Sequence, residues 1–158
     1  MLSALFERGG HRPTPTPSVF LAESDNEIAS CYQVMAELRP HIPREDFVER
    51  VKRQAAQGYL LAGLCDEERV VSVAGFRMAE NLAWGRYLYV DDLVTAAEHR
   101  SKGYGDMLFD WLVEFARLHH RDELHLDSGV HRFGAHRFYL RRRMDITSHH
   151  FAMQVPAA

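Results

Sequence analysis

The residues best suited to chemistry lie in the second half of the chain. Two adjacent carboxylates, Asp91 and Asp92, interrupt an apolar, β-prone run that has Tyr87, Leu88, Tyr89 and Val90 before them and Leu93, Val94 and Thr95 after. Strand interiors disfavour aspartate, so the pair asks for a reason beyond folding, and a carboxylate beside a reacting amine can take its proton. Successive strand residues point to opposite faces, so at most one of the two faces a given reacting group. The other would orient a substrate or fix a loop, and a strand-end acid in water is the plain alternative. Downstream, Arg100-Ser101-Lys102-Gly103-Tyr104-Gly105 stands between that strand and a helical pattern. Two glycines there let the backbone turn tightly and bring successive N–H groups towards a ligand, and the helix adds the positive end of its dipole. Arg100 and Lys102 add formal charge, so the junction suits a phosphate or pyrophosphate, although a plain turn uses the same glycines. Tyr139 carries a phenol that is protonated at neutral pH and can donate a proton or a hydrogen bond; its ordinary role would be core packing.

Other chemistries are poorly served. The ten histidines include the adjacent pairs His119-His120 and His149-His150, and His131 with His136, but none has metal-ligand spacing with a third ligand, so no metal is expected. Cys31 and Cys65 lack CxxC spacing and read as small core residues of a reducing compartment. A net charge of −3 argues against a dedicated nucleic-acid binder, and Arg137, Arg141, Arg142 and Arg143 read as an exposed helix face, one of which could reach a further phosphate. No apolar run approaches the ~20 residues that span a bilayer, and the N-terminus lacks the apolar stretch of a secretory signal, so the cytoplasm is expected.

The elements that position these residues follow from periodicity. Residues 1–17, rich in Pro, Gly and Thr, read as a flexible N-terminal arm, and 18–158 as one domain. A strand over 18–22 precedes the capping-box spacing Ser24-Asp-Asn-Glu27 and a helix with Ile28, Tyr32, Met35 and Leu38 on one face. Pro40 and Pro43 end it, and a second helix fits 44–57 with Phe47, Val48 and Val51 inward. Strands follow over 58–65 and 69–78, joined at Asp66-Glu67-Glu68, then the strand over 87–95. A helix over 103–119 carries Leu108, Trp111, Leu112, Phe115 and Leu118 as a core stripe. A strand over 123–127, a helix over 132–142 and an extended segment over 145–155 close the chain. Asp127, at the end of a strand bordering the site, is a weaker candidate for substrate contact. The order β-αα-βββ-α-β-α-β is that of a mixed α/β domain.

Arg100, Gly103 and Gly105 resemble the acetyl-CoA-binding signature of the GNAT superfamily of N-acetyltransferases, Arg/Gln-x-x-Gly-x-Gly/Ala between a strand and a helix. Ala135, Phe138 and Tyr139 are similar to its closing pattern, Asn-x-x-Ala-x-x-Phe-Tyr-x-x-x-Gly-Phe, and Asp91-Asp92-Leu93 resembles the strand of small-amine acetyltransferases. The resemblance implies a mostly antiparallel sheet with two splayed parallel strands, helices on both faces, and acetyl-CoA held in the gap. It implies cofactor contacts from Leu93, Val94 and Thr95, with an oxyanion-binding N–H around Val94, from Arg100 to Gly105, and from Arg132, Ala135 and Phe138. Tyr139 would be the general acid, and Asp91 or Asp92 the base. Arg132 replaces the usual Asn, while Arg143 and Met144 replace Gly-Phe. The implied activity is direct transfer of acetyl to a primary amine, with a small cationic amine suggested by the acidic strand and a peptide or protein amine as the alternative within the class. A homodimer is expected by analogy. An acyl-CoA-binding module without turnover would need the loop but not Asp91, Asp92 or Tyr139.

Overall fold

A computed structural model describes residues 17–157. The arm expected over 1–17 lies outside the described residues apart from Pro17. The elements are β1 (Ser18–Leu21), α1 (Asp25–Ser30), α2 (Tyr32–Leu38), α3 (Arg44–Ala55), β2 (Tyr59–Asp66), β3 (Arg69–Asn81), β4 (Gly85–Thr95), a 3-10 turn (Ala97–His99), α4 (Tyr104–Leu118), β5 (Glu123–Leu126) and α5 (Phe133–Arg141). One sheet runs in the order β1-β2-β3-β4-β5, antiparallel except for the parallel pair β4–β5. This is the mixed α/β architecture expected from the element order.

Local chemistry explains most boundaries. Ser24 caps α1 in a full capping box with Glu27. The single helix expected after it is broken at Cys31, whose N–H bonds to the Ile28 carbonyl three residues back and tightens the turn between α1 and α2. Between β2 and β3, Glu67 and Glu68 adopt φ of 45° and 65°, so the two-residue loop has the backbone of a type I′ turn without its usual Asn-Gly. The strand expected over 145–155 does not form: residues 145–157 have no regular structure, and Phe151, Met153 and Val155 are largely exposed.

Alternation along β2–β4 divides the core into two layers. On one face Tyr59, Leu61, Val73 and Val94 pack with Ile28, Met35, Phe47 and Val51 of α1–α3. On the other, Ala62, Ala74, Phe76, Leu88 and Val90 pack with Leu108, Leu112 and Ala116 of α4. Burying each large apolar side chain contributes about 1.5–3 kcal/mol, so α4 is firmly seated. Leu118, expected in the α4 stripe, is exposed, because the helix ends there and the chain turns away.

Candidate active site

The centre of β4 is irregular where the two carboxylates stand. Gly75 of β3 faces Asp92, but the next residue, Phe76, faces Val90, so Asp91 is an extra residue in a β-bulge. The bulge overturns the expectation that Asp91 and Asp92 point to opposite faces: both reach groups on the α1–α3 side. Asp92 Oδ1 accepts from Arg39 Nε at 2.7 Å, and its Oδ2 accepts from the Tyr59 hydroxyl at 2.9 Å. Asp91 Oδ2 accepts from Arg77 Nε at 2.8 Å, and Arg77 is held in turn by Gln54 and by the face of the Tyr59 ring. Gly75 is required here, since a Cβ at that position would lie 1.8 Å from the Tyr59 hydroxyl oxygen. Each carboxylate therefore has its own arginine. Burial raises the Asp91 pKa above the ordinary carboxylate value, with Arg77 opposing the shift.

Past the bulge, β4 and β5 part. Their pairing ends at Val90–Leu126, while β4 continues to Thr95 with no strand on its outer edge among the described residues. The Ala96 N–H bonds to the Val71 carbonyl on β3. Two-residue alternation then turns the Val94 N–H towards β3 as well and leaves those of Leu93 and Thr95 on the open edge. The donors facing the gap are thus Leu93 and Thr95, and Val94, expected to be the centre of this role, is the residue between them.

The open edge forms one wall of a cavity of about 680 Å³. Its lining takes in Leu93, Val94, Thr95, Arg100, Ser101, Gly103, Tyr104, Gly105, Arg132, Ala135, Phe138 and Tyr139. Gly103 sits at φ 85° immediately before α4, and a Cβ there would project into open space. Gly105 differs, because its Cβ would touch the Thr95 hydroxyl at 3.4 Å and the Phe138 ring at 3.7 Å. Three arginines, Arg100, Arg132 and Arg141, line the cavity with one carboxylate, Asp106. A helix N-terminus, a left-handed glycine and this positive excess are features that would suit an anion such as a diphosphate. Lys102 lies outside the lining, with its ammonium 3.3 Å from His99 Nδ1.

Tyr139 lines this cavity and two more. A chamber of about 260 Å³ is bounded by Leu93, Asp91, Asp127 and Tyr139, and one of about 570 Å³ lies between the end of β5, α5 and residues 144–150. Tyr139 is 9 % exposed, and burial raises its pKa, so its phenol stays protonated across the neutral range. The turn that follows it is a Schellman motif: the Arg143 N–H bonds to the Leu140 carbonyl and the Met144 N–H to the Tyr139 carbonyl, with Arg143 at φ 62°. Arginine occupies the left-handed position usually given to glycine.

The sequence profile of the acetyltransferase (GNAT) family matches residues 21–144. The chain belongs to the GNAT family of acetyltransferases. It is 35 % identical over 117 residues to the uncharacterised N-acetyltransferase YhdJ of Bacillus subtilis (strain 168), covering 73 % of this chain and 82 % of that protein. Its fold is similar to that of a ribosomal-protein-alanine N-acetyltransferase from Brucella melitensis biovar Abortus 2308, with a TM-score of 0.76 and 15 % identity over 89 % of this chain and 100 % of that one. A Trypanosoma brucei acetyltransferase is similar at a TM-score of 0.73 and 16 % identity, with the same coverage.

Within this GNAT-family chain the geometry gathers some of the sequence-derived candidates and parts others. Asp91 and Tyr139 share the small chamber, whereas Asp92 lines none of the three cavities and is engaged by Arg39 and Tyr59. Of the basic run on α5, Arg141 reaches the large cavity, while Arg142 is paired with Asp106 and Asp110. Sequence reading missed Arg39, Tyr59 and Arg77. The arginines carry no local mark, but Gly75 inside an apolar strand was a legible sign of a bulge or a close approach. Among the described residues no group of His, Cys, Asp and Glu could hold a metal ion, and no helix is long and apolar enough to cross a membrane.

Proposed function

We propose that the protein transfers the acetyl group of acetyl-CoA to a primary amine by direct attack. The observation that carries this reading is the meeting of three cavities at Tyr139: an arginine-lined one for the diphosphate, reached along the open edge of β4, a small chamber holding Asp91, whose pKa burial raises, and a third cavity beyond β5. The residues fit acetyl-CoA. Arg100, Arg132 and the N–H groups from Ser101 to Gly105 would hold its phosphates, and Ala135 and Phe138 the adjoining chain. Bound there, acetyl-CoA would supply an activated acyl group. The amine must be neutral to attack, and Asp91, directly or through one water, takes its proton. The Leu93 N–H donates to the carbonyl oxygen as negative charge develops on it. As the nitrogen–carbon bond forms and the carbon–sulfur bond breaks, Tyr139 gives its proton to sulfur and recovers one from solvent. Asp92 fixes the bulge through Arg39 and Tyr59, which makes it a positioning residue.

The acceptor reading changes with the ion pairs. Asp91 and Asp92 are each offset by an arginine, so their charge is not what would select the small cationic amine that the acidic strand suggested. A primary amine remains the acceptor. A homodimer is also proposed, on the exposed apolar stripe of Phe151, Met153 and Val155.

Calorimetry with CoA, alongside CoA release over a panel of primary amines, tests the function. Binding together with amine-dependent release is expected. Binding without release on any amine would make the protein an acyl-CoA-binding module, and absence of binding would remove the reading altogether. Arg132→Ala should weaken CoA binding by about tenfold or more, since a charge-assisted contact contributes roughly 1.5–3 kcal/mol.

A further inference from the structure

We propose that the acceptor is a primary ammonium carried on an apolar body, that it occupies the 570 Å³ cavity, and that Asp127 holds its charge. This rests on the acetyl-transfer reading and names the substrate class for it. The cavity's lining includes two carboxylates, Asp127 and Asp145, and neither lysine nor arginine. The 680 Å³ cavity has the opposite balance, with three arginines against Asp106. The two cavities share only Tyr139, and the small chamber joins them, meeting one at Leu93, Arg132 and Tyr139 and the other at Leu126, Asp127 and Tyr139. An anionic cosubstrate and a cationic acceptor would therefore enter from different sides and meet at the same phenol.

Asp127 is prepared for a cation. The Tyr89 hydroxyl donates to its Oδ2, and His150 Nδ1 lies 3.4 Å from the same oxygen. Among the described residues Oδ1 has no partner. Unlike Asp91 and Asp92, this carboxylate is paired with no arginine among the described residues. The Ser128 hydroxyl, on the same wall, is buried and has no hydrogen-bond partner among the described residues, which suits a polar atom of a ligand. Of the cavity's histidines, His136 is held at 2.9 Å from the Gly129 carbonyl. The apolar part of the wall includes Val130, Leu140 and Ile146, which are 85 %, 53 % and 77 % exposed, surface that an apolar substituent would cover. Asp145, the second carboxylate of this lining, could take the second ammonium of a diamine, so a diamine is the natural competitor.

Binding to the CoA-loaded protein, measured by calorimetry so that no turnover is needed, tests the proposal with three probes. Phenethylamine has the charge and the apolar body, phenethyl alcohol the body alone, and putrescine the charges alone. Phenethylamine should bind about tenfold or more tighter than either. Asp127→Asn should erase its advantage over the alcohol while CoA affinity is unchanged. Thr147→Trp, at an exposed position on the cavity wall, should weaken phenethylamine and alcohol alike by filling the space. Equal affinity for amine and alcohol, tighter binding of putrescine, or an Asp127→Asn protein that binds all three as before would overturn the assignment. If this binding pattern holds but no amine is acetylated, the transfer reading fails and the site stands. If amines are acetylated with no effect of Asp127→Asn on binding or KM, the site fails and the transfer reading stands.

Discussion

At the scale of single residues the account turns on proton positions. Burial raises the Asp91 pKa, so in the folded protein this carboxylate binds its proton at a higher pH than an ordinary aspartate. Only the deprotonated form can accept a proton from the amine, so kcat/KM should fall as pH drops through that raised value. Asp91→Asn should lower the rate most near neutrality and recover in part at high pH, where the free amine needs no base. A pH–rate profile checks both statements, and the same rescue in Asp92→Asn but not in Asp91→Asn would reverse their roles. Direct attack also requires that no cysteine carry the acetyl group. Burial pushes the Cys31 thiol up to about 12, leaving very little thiolate to act as a nucleophile. Initial rates at crossed concentrations of acetyl-CoA and amine should give intersecting lines, and parallel lines would indicate an acetylated protein.

At the scale of elements, two of the turns that hold side chains in backbone regions suited to glycine can be tested directly. Arg143 takes the left-handed place in the Schellman motif after α5, and Glu67 and Glu68 do so in the hairpin turn. A side chain there costs about 1–2 kcal/mol, and nothing in either turn depends on those side chains for its hydrogen bonds. Arg143→Gly, and separately Glu67→Asn with Glu68→Gly, should each stabilise the protein by about 1 kcal/mol, raising the melting temperature by roughly 2–4 °C. Thermal unfolding measures it; no change, or a fall, would mean the turns are conformationally free in solution.

The same elements explain what could be read in advance. A period of 3.6 marked α3 and α4, because each buries one stripe, and apolar β-prone runs marked β2–β4, because those strands are covered on both faces. The loop from Arg100 to Gly105 was legible because glycine is needed where φ is positive, as at Gly103. The bulge was not, since it depends on how β3 and β4 slide together, and neither strand alone records that register. The partners of the carboxylates were equally hidden: Arg39 meets Asp92 across 53 residues of sequence, and Arg77 meets Asp91 across 14. The tail was misjudged for a related reason. Alternating Phe151, Met153 and Val155 fit a strand, but a strand also needs an edge to pair with, and this segment has none in the described residues.

At the scale of the whole molecule, a net charge of −3 conceals a sorting of charge by cavity. If CoA binds in the large cavity through its exposed and half-exposed arginines, as proposed, its affinity should fall as salt is raised from low to physiological strength. The exposed apolar stripe at the C-terminus leads to a second expectation, a dimer in sedimentation experiments. Phe151→Ser with Val155→Ser should return it to the monomer, and a native chain that sediments as a monomer at every concentration would refute the dimer. The convergence of the three cavities on one phenol is tested most directly by Tyr139→Phe, with amine-dependent CoA release and calorimetric CoA affinity measured on the same preparation. Affinity should be unchanged within a few-fold and the turnover number lower by about 10²-fold, the low end for general acid catalysis. Equal turnover in the two proteins, with CoA bound equally well, would contradict it.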